Sequence, residues 1–141
     1  MEPALLDTDI LLEVLKAKNS TVVASATAYQ AAFSELTISV VTVMEIAQGF
    51  QKMKQAEALE TFLDGLKATR ILVFDQPCAE MAGRIYGDLE RVGQRVGRAD
   101  AMIAATALQY RLTLVTGNTE HYQRIQALGY SLKLENWRQA Q

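Results

Sequence analysis

Short apolar runs alternate along the chain with longer stretches in which apolar residues recur at helical spacing. The first run, residues 4–6, is wholly apolar and ends at Asp7, as is typical of a buried strand. Later runs are rich in β-branched residues, which favours further strands. The predicted strands cover residues 4–6, 36–41, 70–74 and 112–116, with a last short strand at 130–134.

The stretches between these runs predict helices. In the first of them, apolar residues recur at helical spacing from Ile10 to Leu15. Thr42, with Glu45 three residues later, predicts a capping box at the start of another helix, and Asp75 predicts an N-cap. The predicted helices cover about residues 8–15, 21–33, 43–50, 54–66, 76–92, 98–110 and 118–128.

Strands separated by helices, with apolar strand interiors, predict an α/β fold. Such strands pair in parallel and are covered by helices on both faces. We therefore expect three α/β/α layers with a central, mainly parallel sheet of four to five strands, and Trp137 covering the end of the core. No repeat, low-complexity segment or linker divides the chain, so residues 1–141 are expected to form a single domain.

Composition narrows the class of protein. Half of the 141 residues are hydrophobic and 21% are charged, an ordinary balance for a globular chain. No apolar run approaches the ~18 residues of a membrane span, and residues 1–7 lack the pattern of a signal peptide. Cys78 is the only cysteine, so no disulfide can form within the chain. We expect a cytoplasmic protein without a membrane partner.

Net charge argues against simple electrostatic binding of nucleic acid. The formal charge is −2 and the sequence pI is about 5.4. A protein that binds nucleic acid by neutralising phosphates alone is usually basic. If this chain acts on RNA, bound metal and a local group of arginines must supply the positive field. Arg91, Arg95 and Arg98 are the candidates for phosphate contacts, because the loop that they flank leads directly to Asp100.

Polar side chains cluster just beyond the carboxyl ends of the predicted strands, where open parallel sheets bind ligands. These residues are Asp7 and Asp9 after the first strand, Thr42 and Glu45 after the second, and Thr116, Asn118, Glu120 and His121 after the fourth, together with Asp100 at the start of the preceding helix. Carboxylates brought this close repel one another, and a hard cation such as Mg²⁺ or Mn²⁺ relieves the repulsion. The single histidine and single cysteine exclude a structural zinc site.

Each of these residues also has an ordinary structural explanation. Asp7 and Asp9 can cap the first helix, and Glu45 can be only the capping-box partner of a threonine. Asp100 is favoured in a first helical turn by the helix dipole, and Asn118 is a common turn residue. A lone histidine such as His121 is more often a core or surface residue than a catalyst, and the arginines can form a merely solvated face. The functional hypothesis therefore depends on convergence of the whole set.

Four segments in order also resemble one protein family. The segments 5–11, 38–49, 97–107 and 114–122, with the ending 132–137, are similar to the motifs of PIN-domain ribonucleases, and within them of VapC-type toxins of toxin–antitoxin systems. The resemblance covers nearly the whole chain. It implies a PIN-like α/β/α fold and a divalent-metal-dependent ribonuclease whose substrate is commonly transfer or ribosomal RNA.

The resemblance also implies roles for individual residues. Asp7, Glu45 and Asp100 would bind the metal, with Asp9 in or near its outer shell. The family often has another acid where this chain has Asn118 or His121, so one firmly held ion is expected rather than two. Thr116 and Asn118 would ligate through water or orient the nucleophile, with Thr42, Glu120 and His121 in support. A homodimer is implied, as is an antitoxin whose C-terminal segment lies across the active-site groove.

Two other functions remain open from the sequence. Asp7 and Asp9 form an Asp-x-Asp after a first strand, as in haloacid-dehalogenase-like phosphatases, but residues 114–118 lack the distal acidic pair that those enzymes need. The other alternative is a catalytically inactive PIN-fold module that binds RNA or protein. A role in housekeeping RNA processing, rather than as a toxin, is also compatible with the motifs.

Overall fold

A computed structural model describes residues 1–139 as a five-stranded parallel sheet with helices on both faces. The strands are β1 (Ala4–Leu6), β2 (Thr37–Ser39), β3 (Arg70–Leu72), β4 (Thr113–Val115) and β5 (Leu134–Glu135), in the order β3-β2-β1-β4-β5. The α-helices are α1 (Thr8–Lys16), α2 (Ser20–Phe33), α3 (Val40–Lys52), α4 (Ala56–Gly65), α5 (Gln76–Arg91), α6 (Arg98–Gln109) and α7 (Thr119–Gln126). Among the described residues, no helix is long and apolar enough to cross a membrane.

The central strand β1 separates two hydrophobic cores. Its residues are all buried, and Leu6 lies opposite Ile38 of β2 on one side and Val115 of β4 on the other. Successive side chains of a strand point to opposite faces. Accordingly, Leu5 packs in the core under α5, α6 and α7, whereas Ala4 and Leu6 pack in the core under α1 and α2. The three predicted layers and the parallel sheet are confirmed.

The second core is closed by the C-terminal segment, as predicted. Trp137 is fully buried, and its ring centroid lies 5.8 Å from that of Tyr29 in α2. The Tyr29 hydroxyl in turn donates to the Ala4 carbonyl oxygen and accepts from the Ala4 N–H. The segment around Trp137 is therefore linked through α2 to the first strand, which leads into the candidate site at Asp7.

Several predicted boundaries are wrong, and the third strand ends at Leu72 rather than at residue 74. The second strand ends at Ser39 rather than at residue 41, and α3 begins at Val40, inside the predicted strand. The cap of α3 is Ser39, whose extended backbone lets its hydroxyl accept from the Val41 N–H at 3.0 Å. Thr42 and Glu45 lie within α3, so they form no capping box. The last strand is residues 134–135, which pair with Leu114 and Val115 of β4, rather than residues 130–134.

Candidate active site

Asp7 lies at the carboxyl end of β1 and is the centre of the predicted site. Its Oδ1 accepts from the Thr8 N–H at 2.8 Å, so Asp7 does cap α1, the structural role that the sequence also allowed. Its other oxygen, Oδ2, accepts from the hydroxyl of Thr116 at 2.8 Å, across the boundary to β4. Asp7 is only 6% exposed and Thr116 is fully buried. This carboxylate is therefore held at both oxygens in a desolvated position.

Asp100 is brought next to Asp7 by the first turn of α6. Its Oδ2 lies 3.0 Å from Nε2 of His121, and its Oδ1 accepts from the Tyr122 hydroxyl at 3.3 Å. The fully buried Tyr122 also interacts with Asp7, and burial together with the charges of Asp7 and Asp100 raises the pKa of this phenol. The Tyr122 hydroxyl thus joins the two predicted acids, and sequence analysis did not identify it.

Glu45 is linked to the site by a hydrogen bond from the hydroxyl of Thr8, the residue that follows Asp7. The Thr8 hydroxyl donates to Glu45 Oε1 at 2.7 Å and lies 3.0 Å from the hydroxyl of Thr42. The predicted Thr42 is fully buried on α3 and completes this small network. Thr8 was missed because nothing in its spacing distinguishes it from an ordinary residue in a first helical turn.

Asp9 faces a different set of partners. Its Oδ2 accepts from the Gly117 N–H at 3.0 Å and lies 3.5 Å from Nη2 of Arg138. The same guanidinium pairs with Glu13, the next residue on that face of α1, at 2.7 Å. Neither Arg138 nor Glu13 was predicted, since the two residues are 125 positions apart and no motif links them.

The acids crowd one another in a way that a cation would relieve. Burial, and then the charge of Asp9, raises the pKa of Asp7 from 3.8 to about 7. Burial also raises the pKa of Asp9, and its Oδ1 is buried with no hydrogen-bond partner among residues 1–139. Apart from the imidazole of His121, the side-chain atoms near Asp7 and Asp100 that could bind a metal are oxygens. Oxygen ligands suit a hard divalent ion.

The acids do not form a ready-made cage. Within residues 1–139, no three His, Cys, Asp or Glu side chains lie close enough together to be a metal cluster. Mg²⁺ commonly binds to one or two carboxylates and keeps several waters, with substrate phosphate completing its shell. The donor set around Asp7 and Asp100 fits that mode of binding better than it fits a closed protein cage.

The remaining predicted residues of the fourth segment differ in their positions. The Asn118 N–H donates to the Thr116 hydroxyl at 3.0 Å, so this turn is tied to the hydroxyl that orients Asp7. The Asn118 side chain itself is exposed and makes no cap hydrogen bond to α7. Glu120 is exposed in the first turn of α7. Of these residues, His121 lies nearest to the acids, at Asp100.

The predicted arginines flank a cavity beside α6. A cavity of about 520 Å³ lies at the loop of residues 93–97, with Arg95 and Gly97 in its lining. Gly97 also adjoins Asp100, since a Cβ added there would lie 3.5 Å from Asp100 Oδ2. Arg98 stacks over Tyr86 at 5.4 Å, whereas Arg91 is paired with a neighbouring aspartate of α5 at 3.3 Å.

Comparisons with known proteins give a consistent result. A sequence model of the PIN domain matches residues 4–127. The chain is 31% identical over 134 residues to the tRNA(fMet)-specific endonuclease VapC of Shigella flexneri, covering 94% of this chain and 96% of that protein. It is 34% identical over 123 residues to Toxin FitB of Neisseria gonorrhoeae, covering 82% of this chain and 87% of the toxin. Among solved structures, DNA-bound VapBC from Salmonella typhimurium matches with a TM-score of 0.81 at 28% identity, over 97% of this chain and 99% of that one.

Proposed function

Because the chain belongs to the PIN-domain family, we propose that it hydrolyses RNA phosphodiester bonds with a divalent metal at the centre formed by Asp7 and Asp100. Its relatives include ribonucleases and toxins named VapC and FitB, and the chain is a ribonuclease toxin of the VapBC type. The PIN-domain match decides against the phosphatase suggested by the Asp-x-Asp at residues 7–9.

One observation carries the catalytic proposal. The Tyr122 hydroxyl donates to Asp100 and also interacts with Asp7, so the acid that follows β1 and the acid in the first turn of α6 meet at the carboxyl edge of the sheet. Nearby, Glu45 is linked to the same helix start through the hydroxyl of Thr8. These contacts join acids that are 38 to 93 positions apart in the chain. Capping alone does not require such a meeting.

Asp7, Glu45 and Asp100 would hold Mg²⁺ or Mn²⁺. A bound divalent ion supplies Lewis-acid activation of water and neutralises charge on the phosphate. The protein's own contribution is orientation: Thr116 fixes one oxygen of Asp7, and His121 fixes one oxygen of Asp100. Neighbours that orient ligand carboxylates in this way commonly affect metal affinity or activity tenfold to about a hundredfold. No covalent intermediate on the protein is needed.

The arginine side of the site is proposed to bind the RNA backbone. Arg95 lines the cavity that adjoins Asp100 through Gly97, and Arg98 begins the helix that carries Asp100. Both side chains are exposed, so their charge is available to phosphate. Arg91 is the weakest of the three candidates because Asp88 already pairs with it.

The proposal includes partners for the protein. The solved structures that match include VapBC complexes from Rickettsia felis and Salmonella typhimurium. We infer that a VapB-type antitoxin binds this chain, that two copies form a homodimer, and that transfer or ribosomal RNA is the substrate class. A cytoplasmic location would follow from access to those RNAs.

An inactive PIN-fold module is the alternative that the sequence left open. Because the acids within residues 1–139 form no ready-made metal cluster, metal binding itself has to be measured. Calorimetric titration of metal-free protein with Mn²⁺ separates the two functions. An inactive module would bind no ion that depends on Asp7 and Asp100.

The direct test is cleavage of a mixed pool of structured RNAs by protein purified free of antitoxin. We expect cutting in Mn²⁺ or Mg²⁺, none in EDTA, and none by an Asp100→Asn variant. The matched control is Asp64→Asn, which changes an exposed aspartate of α4 and should cut normally. Cutting that persists in both EDTA and the Asp100 variant would refute the assignment.

A further inference from the structure

The C-terminal segment places a positive charge beside the acid centre. Buried Trp137 anchors the segment, and the next residue, Arg138, extends over α1. Its Nε lies 2.7 Å from Glu13 Oε1 and its Nη2 lies 3.5 Å from Asp9 Oδ2. Residues four apart share one face of a helix. One guanidinium therefore spans both carboxylates of that face.

The same guanidinium packs against the backbone of Gly117. A Cβ added at Gly117 would collide with the Nη1 and Cζ atoms of Arg138, so the close approach of the arginine requires glycine here. The Gly117 N–H donates to Asp9 Oδ2, the oxygen that faces Arg138. Arg138 thus contacts both partners of a single hydrogen bond.

That hydrogen bond holds the turn that orients Asp7. Gly117 follows Thr116, whose hydroxyl donates to Asp7 Oδ2 at 2.8 Å and accepts from the Asn118 N–H at 3.0 Å. A continuous series of contacts therefore runs from Arg138 through Asp9 and the turn at residues 116–118 to Asp7. Each step is a hydrogen bond, an ion pair or a peptide bond between adjacent residues.

We propose that Arg138 is a positioning residue for the acid centre, a built-in cation that holds Asp9 on the Gly117 amide. Asp9 then supports the turn that orients Asp7 and is kept away from the metal that Asp7 would bind. The inference rests on the proposed function, because the turn matters to catalysis through Asp7. The side chains of Arg138 and Asp9 are 38% and 31% exposed, so their pairing contributes little to overall stability.

Three variants separate charge from shape. Arg138→Gln removes the cation, Arg138→Lys keeps a cation with similar reach, and Gly117→Ala displaces the guanidinium without removing any charge. The atoms that the alanine would meet are at the end of a flexible side chain, so the fold should adjust at little cost. The matched control is Arg70→Gln, an exposed arginine at the opposite, amino-terminal end of β3.

We expect Arg138→Gln and Gly117→Ala to cleave the structured-RNA pool in Mn²⁺ about ten- to a hundredfold more slowly than the unmodified chain. Their melting temperatures should stay within about 3 °C of it. Arg138→Lys should restore most of the rate, and Arg70→Gln should leave it unchanged. A purely structural role would instead lower the melting temperature and leave the cleavage rate of the folded protein intact.

A second measurement does not depend on cleavage. In Arg138→Gln the amide proton of Gly117 should shift in a ¹H–¹⁵N spectrum and exchange faster with solvent, because Asp9 is no longer held on it. If that amide and the cleavage rate are both unchanged, the proposal is overturned. If the unmodified chain shows no metal-dependent cleavage, the proposed function fails, and the Gly117 amide alone then decides whether Arg138 positions the turn.

Discussion

Two carboxylates at the start of α1, those of the N-cap Asp7 and of Asp9 in the first turn, lie in opposite electrostatic surroundings. Within residues 1–139, Asp7 faces the hydroxyls of Thr116 and Tyr122 and no cationic side chain, and burial followed by the charge of Asp9 raises its pKa to about 7. Asp9, two residues later, has the guanidinium of Arg138 at 3.5 Å. The Asp9 side of this acid cluster therefore has its own cation, whereas the Asp7 side is complementary to a cation from outside the chain.

The largest expected effect comes from Asp100, the acid that meets Asp7. Asp100→Asn should slow RNA cleavage by about a thousandfold or more, equivalent to about 4 kcal/mol, because the amide is a poor ligand for a hard cation. Single-turnover cleavage of the pool RNA measures this loss. Activity within tenfold of the unmodified chain would mean that Asp7 and Asp100 do not form the catalytic centre.

A smaller effect is expected from the hydroxyl that orients Asp7. Thr116→Val keeps the side-chain shape but removes the donor to Asp7 and the acceptor for the Asn118 N–H. We expect cleavage to fall about ten- to a hundredfold, with a larger Mn²⁺ concentration needed for half-maximal rate. An unchanged Mn²⁺ dependence would show that the orientation of Asp7 does not depend on this hydroxyl.

The pH dependence of the free energy of unfolding tests the environment of Asp7 without any substrate. The pKa of Asp7 in the folded protein, about 7, lies above the ordinary aspartate pKa of 3.8, so between these pH values the folded state binds more protons than the unfolded state. The metal-free protein should therefore lose stability as the pH rises from 5 to 8, by about 2 kcal/mol. Asp7→Asn should abolish most of this loss in denaturant titrations carried out in EDTA, and a slope that persists in the variant would contradict the assignment.

The smallest effect is expected at the arginine side of the site. Arg98→Gln should weaken RNA binding only a few-fold and reduce its salt dependence by about one counterion. Arg91→Gln is the matched comparison and should change less, because Asp88 already neutralises that side chain. Filter binding to the inactive Asp100→Asn protein at several salt concentrations distinguishes the two, and equal losses would remove the preference for Arg98.

The sequence predicted the parts of the molecule that depend on local pattern. Apolar runs and helical spacing identified the elements. The expectation that Asp7, after the first strand, and Asp100, at the start of the helix before the fourth strand, would converge at one edge of a parallel sheet was sufficient to bring these two acids together. The N-cap of α3 was misassigned because Ser39 and Thr42 are both good caps, and only the backbone shows that the helix begins at Val40. The short β5 was shifted because an edge strand of two residues has almost no pattern of its own.

The partners of the acids could not be predicted, since they come from distant parts of the chain. Tyr122 is an ordinary apolar position of α7 until its hydroxyl is placed beside Asp100. Thr8 gains its role from Glu45, 37 positions away, and Arg138 gains its role from α1. Nothing in the sequence distinguishes Gly117, because the guanidinium that packs on it comes from Arg138, 21 positions later.

The contrast between the two carboxylates is tested most directly by calorimetric titration of Mn²⁺ into the metal-free protein. We predict that Asp7→Asn weakens Mn²⁺ binding at least tenfold, as loss of a ligand should. Asp9→Asn, whose carboxylate already has Arg138, should weaken binding far less. Equal losses in the two variants, or a loss confined to Asp9→Asn, would contradict the account, because the outside cation would then not belong to the Asp7 side.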